Sequence, residues 1–439
     1  MIPIQKYYLQ KVKNYLWHLP KSIYFKTKFK NPSKNLTLIG VTGTDGKTTT
    51  AKLIYEVLTK AGIKTGLITT IGAKTGNRDI NTGLHMTSPD PSLVQQIFQE
   101  MVKSGLTHAV IEVTSHALDQ FRFFGCHFKV SVITNTSHEH LDDFIDMHRY
   151  IHAKNKIFHY SDIAILNKDD QSFKQISKNV TIPSKTYSID TKSTYQATNI
   201  KINQDELTFK VNQTTFKTNS NYYYQIYNIL AAYSVINTLN IDTDLFLSVI
   251  KDFPEVTGRR QTIPNNLNIK TIIDFAHTPA ALESTLSSLK KLTKGNLIVI
   301  FGATGGRDKS KRPLMGAVVS QHADIAILTS DDTRNEKVED INQQIAQGIK
   351  ANSELFNYTK ITTPKQFQKI SLLAQNKFVY LDIPNRQDAF NFAIKLAQPG
   401  DTVIACGKGH ETSILHGTTE YPWSESEAFR TAFRLKTQL

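Results

Sequence analysis

The stretch that decides the fold is Leu36-Thr37-Leu38-Ile39-Gly40-Val41-Thr42-Gly43-Thr44-Asp45-Gly46-Lys47-Thr48-Thr49-Thr50. It predicts a buried strand, a glycine-rich turn and the first turn of a helix. The N–H groups of such a turn point at one spot, the helix N-terminus adds partial positive charge, and Lys47 adds a full charge. The sequence therefore predicts a cradle for the phosphates of a nucleotide, with the Thr48 hydroxyl on the accompanying Mg²⁺. The general motif GxxxxGK[ST] has glycine where this chain has Val41.

The bulk composition indicates a soluble globular protein. The chain has 439 residues, 40% of them hydrophobic and 21% charged, which is enough for two or three domains. It has no apolar run near the 18 residues or so that a membrane-spanning helix needs. Two cysteines far apart in sequence, Cys126 and Cys406, are typical of a reducing compartment, so we expect the cytoplasm.

The positive charge is concentrated at the N-terminus. Residues 1–44 contain eight Lys and no Asp or Glu, so this segment supplies +8 of the net charge of +14. Tyrosines, Trp17 and aliphatic residues are mixed with those lysines. Two interpretations stay open: a helix lying on an anionic membrane, or a helical arm packed on the body with its lysines in solvent. Because nucleic-acid binding is suggested only by charge, we expect none.

Polar groups follow two later strands. Residues 108–116 predict a buried strand that runs out into polar residues. Glu112, near the end of its apolar part, is either a Mg²⁺ ligand or an ordinary paired carboxylate. A further strand over 130–135 leads to histidines and acids within 137–148. That segment lacks the HExxH or CxxC spacing typical of zinc sites.

The second half of the chain repeats the alternation of strand and helix. After short alternating runs over about 185–220, which predict antiparallel strands, a linker lies near 254–258. Apolar runs over 271–275, 296–302, 323–329, 377–381 and 402–405 then predict a second, doubly wound sheet. We expect an α/β protein with a basic arm (1–35), a central P-loop ATPase domain with a parallel sheet (36–256) and a C-terminal Rossmann-like domain (257–439).

Nine motifs in order resemble one family. They are TGTxGKT at 42–48, EVTSH at 112–116, NxxxEHLD at 135–142, AKxxIF at 153–158, NILAA at 228–232, GR at 258–259, DFAHTP at 274–279, GGRDKxKRP at 305–313 and GKGHET at 407–412. Together they resemble the Mur ligases, most closely the type that adds the third peptide residue to UDP-N-acetylmuramoyl-L-alanyl-D-glutamate. In that family the P-loop has the GTxGKT form, which accounts for Val41.

The resemblance implies an ATP- and Mg²⁺-dependent site. Its ATP-binding residues are Gly43, Thr44, Asp45, Gly46, Lys47, Thr48, Thr49, Asn228, Arg259, Asp274 and His277. Thr48 and Glu112 match ligands of one Mg²⁺, and His140 matches a ligand of a second. Lys154 matches a lysine that CO₂ converts to a carbamate, so that it helps to hold metal. The catalytic residues expected are thus Lys47, Glu112, His140 and Lys154.

The resemblance also implies two further substrates. Thr87, Ser88, Ser115 and Arg122 match positions that hold the muramoyl-peptide, and Arg307, Gly407 and Glu411 match the amino-acid pocket. The family's diaminopimelate enzymes read the distal carboxylate with the Arg of a DNPR motif. Here the stretch is Asp331-Asp332-Thr333-Arg334, which retains the Arg and favours diaminopimelate over lysine.

The implied reaction is ATP-dependent amide formation through an acyl phosphate, carried out by a monomer in peptidoglycan precursor synthesis. This sequence departs from the family mainly at its N-terminus. Family members have a uridine-binding domain of about a hundred residues before the P-loop, whereas 35 residues precede the P-loop here. We therefore expect one of two arrangements. Either the protein holds its acceptor differently from the rest of the family, or it binds a lipid-linked muramoyl-peptide at the membrane, which residues 1–30 contact. Alternatives are another carboxylate acceptor, such as a folate, and a non-catalytic ATP-binding homologue.

Overall fold

The computed structural model describes residues 3–76, 78–80, 88–137, 141–203 and 206–437. The chain forms two compact units, Met1–Pro254 and Glu255–Leu439, called the first and second unit below. Within the described residues, no helix is long and apolar enough to cross a bilayer.

The first unit is built on one large sheet. Its strands are β1 (Thr37–Thr42), β2 (Thr65–Thr69), β3 (Gly72–Lys74), β4 (Asp79–Ile80), β5 (His108–Glu112), β6 (Phe128–Ile133), β7 (Ser161–Asn167), β8 (Ser184–Ser188), β9 (Tyr195–Ile202), β10 (Leu207–Val211) and β11 (Thr214–Thr218). In the described ranges they form an 11-stranded sheet in the order β11-β10-β9-β8-β7-β6-β1-β5-β2-β3-β4. The strands from β9 to β2 run parallel, and the pairs at both edges are antiparallel.

Helices cover both faces of this sheet. They are α1 (Pro3–Lys13), α2 (Leu19–Lys28), α3 (Lys47–Lys60), α4 (Pro91–Lys103), α5 (Ser115–Asp119), α6 (Leu141–Phe144), α7 (Met147–Asn155), α8 (Phe173–Ser177), α9 (Gln225–Thr238) and α10 (Thr243–Lys251). One core packs α3 and α9 against the sheet with the aromatic rings of Phe209 and Phe216. The other packs α4 through Phe98 and Met101 and includes the buried thiol of Cys126.

The position of β1 decides where the site lies. It pairs with β5 on one side and β6 on the other, with Val41 opposite Glu112 and Thr42 opposite Ile133. Because parallel strands end at the same edge of a sheet, the residues after β1, β5 and β6 meet there.

Residues 3–28, called the N-terminal arm, form a nearly continuous helix. A π-helical segment, Asn14–His18, joins α1 to α2. The arm is held to the body by ion pairs of Lys11 with Asp119 and of Lys21 with Asp90. Two of the lysines that the packed-arm interpretation left in solvent are therefore paired.

The second unit is the predicted doubly wound sheet. Its strands are β12 (Gln261–Thr262), β13 (Lys270–Asp274), β14 (Leu297–Phe301), β15 (Ile325–Leu328), β16 (Glu354–Phe356), β17 (Val379–Asp382), β18 (Thr402–Cys406), β19 (Ser413–His416) and β20 (Thr419–Pro422). Its helices are α11 (Pro279–Leu292), α12 (Lys311–His322), α13 (Val338–Ala346), α14 (Pro364–Ala374), α15 (Arg386–Leu396) and α16 (Glu425–Thr437). The main sheet has the order β12-β13-β18-β14-β15-β17-β16. All of it is parallel except β12, and β18 ends at the buried Cys406.

Candidate active site

The P-loop has the conformation that its glycines predict. Gly43 and Gly46 adopt φ values of 145° and 81°, in the region that favours glycine. A Cβ at Gly43 would collide with Thr134 Oγ1, and one at Gly46 with Asn228 Oδ1. The loop thus lies against the end of β6 and the start of α9, and α3 begins directly after it at Lys47.

Residues that follow β6 hold the P-loop in place. Asp45 N donates to Asn135 Oδ1 over 2.9 Å, and Thr134 Oγ1 donates to Asp45 O over 2.6 Å. Thr44 N donates to Asn135 O over 2.9 Å. These contacts fix the loop backbone without a ligand, and sequence reasoning missed Thr134 because the two segments are about 90 residues apart.

The structure brings Thr48 and Glu112 together. Thr48 Oγ1 donates to both carboxylate oxygens of Glu112 over 3.1 Å, and Thr70 N donates to Glu112 Oε2 over 3.0 Å. Glu112 is 1% exposed. A hydroxyl and a buried carboxylate at the start of the P-loop helix are oxygen donors of the kind that Mg²⁺ prefers.

Two lysines lie against the same loop. Lys47 Nζ donates to Thr44 O over 2.7 Å. Lys154 is buried, and its Nζ donates to Gly43 O over 2.6 Å. The same Nζ lies 4.4 Å from the centre of the Tyr150 ring. The hydroxyl of Tyr150 is in turn 3.2 Å from Thr44 Oγ1. Thr49 follows in the first turn of α3.

Asn228 is the remaining nucleotide-site candidate in this unit. It is buried on α9 beside Gly46, and its Nδ2 donates to Gln225 Oε1 over 3.1 Å. His140 and Thr87 lie outside the described residues.

Of the acceptor candidates, Ser88 is hydrogen-bonded to the backbone of Glu112. Ser88 Oγ donates to the backbone oxygen of Glu112 over 3.2 Å, and Thr114 N donates to Ser88 Oγ over 3.2 Å. Arg122 Nη1 donates to Ser88 O, and Ser115 is buried at the start of α5. Burial lowers the pKa of the Arg122 guanidinium, which remains a cation.

In the second unit, the nucleotide candidates surround Phe275. Asp274 accepts from Arg260 N and Ala276 N, both over 2.8 Å. The Arg259 guanidinium lies 4.2 Å from the centre of the Phe275 ring, and His277 Nδ1 is 2.7 Å from Phe275 O. The ring of His410 packs on the same phenylalanine at 5.1 Å; the sequence placed His410 in a motif but gave it no role.

We expect His410 to stay neutral down to about pH 4. Burial, with a contribution from the positive charge of Arg259, lowers its pKa to about 3. The unfolded chain binds this proton near pH 6.5, so acidification from pH 6.5 toward pH 3 favours unfolding through this group. NMR titration of the imidazole carbons, assigned with His410→Gln, measures the midpoint. A midpoint between pH 5 and 7 would contradict the prediction.

The amino-acid candidates form a charged cluster at the ends of β15 and β18. One carboxylate oxygen from each of Asp331, Asp332 and Glu411 lies within 4.8 Å of the others. Lys408 Nζ, fully buried, pairs with Asp332 Oδ1 at 2.8 Å and with Glu411. A Cβ at Gly407 would press on Asp331 Oδ2 at 2.6 Å, so this position needs its small residue.

The two arginines of the predicted pocket lie on adjoining loops. Arg334 has a φ of 51° and donates from its backbone N to Leu415 O over 3.2 Å. A Cβ at Gly306 would lie 3.5 Å from Arg334 Cδ. Arg307 is half-buried directly after Gly306.

Buried arginines that the sequence left without a role hold these loops. Arg386 donates to Glu425 Oε1, Ser330 O and Cys406 O over 2.8–3.0 Å. Arg312 donates to both oxygens of Glu336 and to Thr304 O. Arg312 thereby lowers the pKa of Glu336 to about 2.

Comparison with known proteins matches each of the two units to a family model. A family model described as Mur ligase middle domain matches residues 41–236, and one described as Mur ligase, glutamate ligase domain matches residues 258–409. A "UDP-N-acetylmuramoyl-L-alanyl-D-glutamate--2,6-diaminopimelate ligase" of Geobacillus kaustophilus is 33% identical over 416 residues, covering 92% of this chain and 80% of the relative. The enzyme with that name from Clostridium perfringens is 36% identical over 394 residues, covering 88% and 75%.

Solved structures share the fold. A "UDP-N-acetylmuramoyl-L-alanyl-D-glutamate--2, 6-diaminopimelate ligase" has a TM-score of 0.60 at 26% identity, over 95% of this chain and 81% of its own. A folylpolyglutamate synthase of Mycobacterium tuberculosis, complexed with ADP and AMPPCP, has a TM-score of 0.66 at 16% identity, over 98% and 99%. Two family models match in order along the chain, and relatives above 30% identity are covered over three quarters or more of their length. This chain therefore belongs to the Mur ligase family of ATP-dependent ligases.

Proposed function

We propose that the protein joins the carboxylate of a muramoyl-dipeptide to the amine of an amino acid, with ATP as the phosphoryl donor. The observation that carries this proposal is the cluster of Thr48, Glu112 and Lys154 against the P-loop, with Ser88 one hydrogen bond away. The acceptor carboxylate oxygen attacks the γ-phosphorus and ADP leaves, which gives an acyl phosphate. The amine then attacks the acyl carbon, the C–O bond to phosphate breaks, and the nitrogen loses a proton. Positioning and charge neutralisation are the protein's main tasks.

Thr48 and Glu112 are the proposed Mg²⁺ ligands in the described residues, with His140 proposed for a second ion. A bound Mg²⁺ supplies positive charge against the phosphate oxygens. Lys47 adds a cation at the same loop, and the N–H groups at the start of α3 would donate to the phosphates of a bound nucleotide. Glu112 is held by Thr70 as well as by Thr48, so its carboxylate is oriented before any ligand binds.

Lys154 is the proposed site of a carbamate. Its Nζ, in the neutral form, would bond to the carbon of CO₂ and release a proton, so that a cation becomes an anion. The support is its burial next to Gly43 and Tyr150, since an anion there lies beside the phosphate loop and suits metal binding better than an amine does.

Arg122, Ser88 and Ser115 are the proposed acceptor contacts, with Thr87. The half-buried guanidinium of Arg122 donates to Gln120 Oε1 and Ser88 O, and its positive charge suits an anionic acceptor such as a carboxylate or phosphate. The relatives' names state the muramoyl-dipeptide acceptor for those proteins. We extend it to this chain, with a lipid-linked form of the same peptide as the alternative.

Diaminopimelate is the proposed amino acid. Lys408 pairs with Asp332 and Glu411, and Asp331 lies in the same cluster, so these carboxylate oxygens suit the ammonium group of an amino acid. Arg334 is the proposed partner of the distal carboxylate, with Arg307 beside it. The roles of Arg259, Asp274 and His277 toward the nucleotide stay predictions.

Amino-acid-dependent ADP release tests the proposal. With UDP-linked or lipid-linked muramoyl-dipeptide, we expect release with meso-diaminopimelate and at least tenfold less with lysine. Arg334→Ala should raise the KM for diaminopimelate about 10- to 100-fold, the range for losing a charge-assisted contact. The KM for lysine, which has no distal carboxylate, should be nearly unchanged. Absence of release with every pair would support the non-catalytic alternative, and release only with another carboxylate would overturn the acceptor.

We further propose that the enzyme is a monomer, acts on small molecules in the cytoplasm and does not bind nucleic acid. Residues 1–30 are proposed to contact the membrane peripherally.

A further inference from the structure

The N-terminal arm turns its polar side toward the body. Asn14 is 1% exposed and donates from Nδ2 to Asp119 Oδ2 over 2.7 Å. Lys11 pairs with the same carboxylate and Ser22 is buried. Next to Ser22, Lys21 pairs with Asp90 at 2.6 Å. A surface helix normally buries its apolar stripe instead.

The apolar side of the arm faces outward. Its exposed large side chains are Ile4, Tyr8, Leu9, Val12, Tyr15, Leu16, Trp17, Ile23 and Tyr24. Tyr15 lies where this side meets the body, because its ring also packs on Phe121 at 5.4 Å. Leu16 is 74% exposed and Trp17 63% exposed. Residues four apart lie on one side of a helix, so Ile4, Tyr8, Val12 and Leu16 form a ridge along the arm. We call these nine residues the apolar face of the arm. An exposed surface that gathers nine large apolar side chains marks an interaction site.

The charges next to this face identify its partner. Lys13, Lys28 and Lys30 are exposed, and residues 1–44 contain no Asp or Glu. A protein groove for an apolar helix does not require unopposed positive charge, whereas an anionic bilayer attracts lysines and accepts Trp and Tyr at the headgroup level.

We propose that the apolar face of the arm is a docking surface for an anionic lipid bilayer. The helix lies in the plane of the interface, with its apolar face among the acyl chains and its exposed lysines at the headgroups. The polar side keeps its contacts with the body, so docking requires no rearrangement of the arm. Attachment through an interfacial helix of this kind is reversible, unlike insertion of a membrane-spanning helix.

The arm is anchored to the elements that carry the acceptor candidates. Asp90 caps α4 two residues after Ser88, and Asp119 ends α5, which begins at Ser115. Burial alone would raise the pKa of Asp119, but Lys156 and Lys11 outweigh it and lower the pKa, so this anchor stays ionised. Docking therefore holds the acceptor side of the first unit near the bilayer. This part rests on the proposed function and favours a lipid-linked acceptor.

Flotation of the full-length protein with vesicles tests the docking surface. We expect it to float with vesicles of phosphatidylglycerol and phosphatidylcholine at low salt, and to remain in the dense fraction with pure phosphatidylcholine. Leu9→Ser/Leu16→Ser/Trp17→Ser should abolish flotation. Lys13→Gln/Lys28→Gln/Lys30→Gln should weaken the partition coefficient about fivefold per lysine. The control is Leu355→Ser/Leu372→Ser, which changes two leucines of the second unit that are 58% and 54% exposed and should float as the wild type does.

Trp17 gives a second readout. The chain has two tryptophans, so Trp423→Phe leaves Trp17 as the single reporter. Its emission should shift to shorter wavelength with anionic vesicles and be quenched by brominated acyl chains. Circular dichroism of each variant checks folding.

Other outcomes separate the alternatives. Equal flotation of the triple-serine variant and the wild type would overturn the proposal. So would an oligomer that the triple-serine variant dissociates, measured by light scattering without vesicles, because a second copy would then cover the face. Ligase activity of the variant on a UDP-linked acceptor is measured separately, so that failure of docking and failure of the proposed function are distinguishable.

Discussion

Replacing Lys154 with alanine is expected to slow amino-acid-dependent ADP release about 10³-fold, the upper end of the loss for one electrostatic group in a preorganised site. The buried Nζ lies 2.6 Å from Gly43 O, so a carbamate formed there places an anion beside the P-loop. Steady-state ADP release, with and without added bicarbonate, measures the effect. Short carboxylates such as acetate should restore part of the lost rate, because they supply an anion to the vacated space.

The rescue distinguishes a carbamate from a structural lysine. Loss of the hydrogen bond to Gly43 also loosens the loop, but acetate would not repair that. Lys156→Ala is the matched control, since Lys156 belongs to the same segment and pairs with Asp119, away from the loop. Enrichment with ¹³C-bicarbonate should give a carbamate signal in the wild type and none in Lys154→Ala. A variant that retains a tenth of the wild-type rate, without rescue by acetate, would argue against a carbamate on Lys154 and for a lysine that only holds the loop.

Glu112→Gln is expected to lower the rate of ADP release by about 10²–10³-fold and to raise the Mg²⁺ concentration needed for half-maximal rate. The amide keeps the size of the side chain and an oxygen that accepts from Thr70 N, so the fold should survive. It loses the negative charge that attracts the metal and orients Thr48. ADP release measured against Mg²⁺ concentration separates the two effects.

The control for this variant is Glu100→Gln, a carboxylate on α4 paired with Arg78. It removes the same charge from the same unit, outside the site. An unchanged Mg²⁺ dependence in Glu112→Gln would show that Glu112 is only a structural partner of Thr48 and Thr70, which is the other interpretation that its sequence context left open.

Sequence reasoning predicted the parts of the site that are local in the chain. The strand, turn and helix around Gly43 and Lys47 follow from neighbouring residues, because backbone conformation at glycine and the start of a helix are set within a few positions. The contacts that lock the loop, from Thr134 and Asn135, depend on which strand lies beside β1. The buried ion pairs of Arg386 and Arg312 likewise join distant segments, and no short pattern announces them.

The N-terminal arm shows a different limit. Its composition predicted a helix with both basic and apolar character but left open which side faces the body. Hydrophobic periodicity alone would bury Leu9 and Leu16. The opposite orientation is stabilised by two carboxylates distant in the sequence. Asp119 binds Lys11 and Asn14, and Asp90 pairs with Lys21.

Both native thiols lie in the cores, with consequences for labelling. Burial raises the pKa of Cys126 to about 12 and that of Cys406 well above its usual value. Since maleimides react with the exposed thiolate, neither should be modified while the protein is folded. A cysteine introduced at an exposed position of either unit would therefore be the sole reactive group. A pair of dyes could be attached through two such positions with the native cysteines left in place.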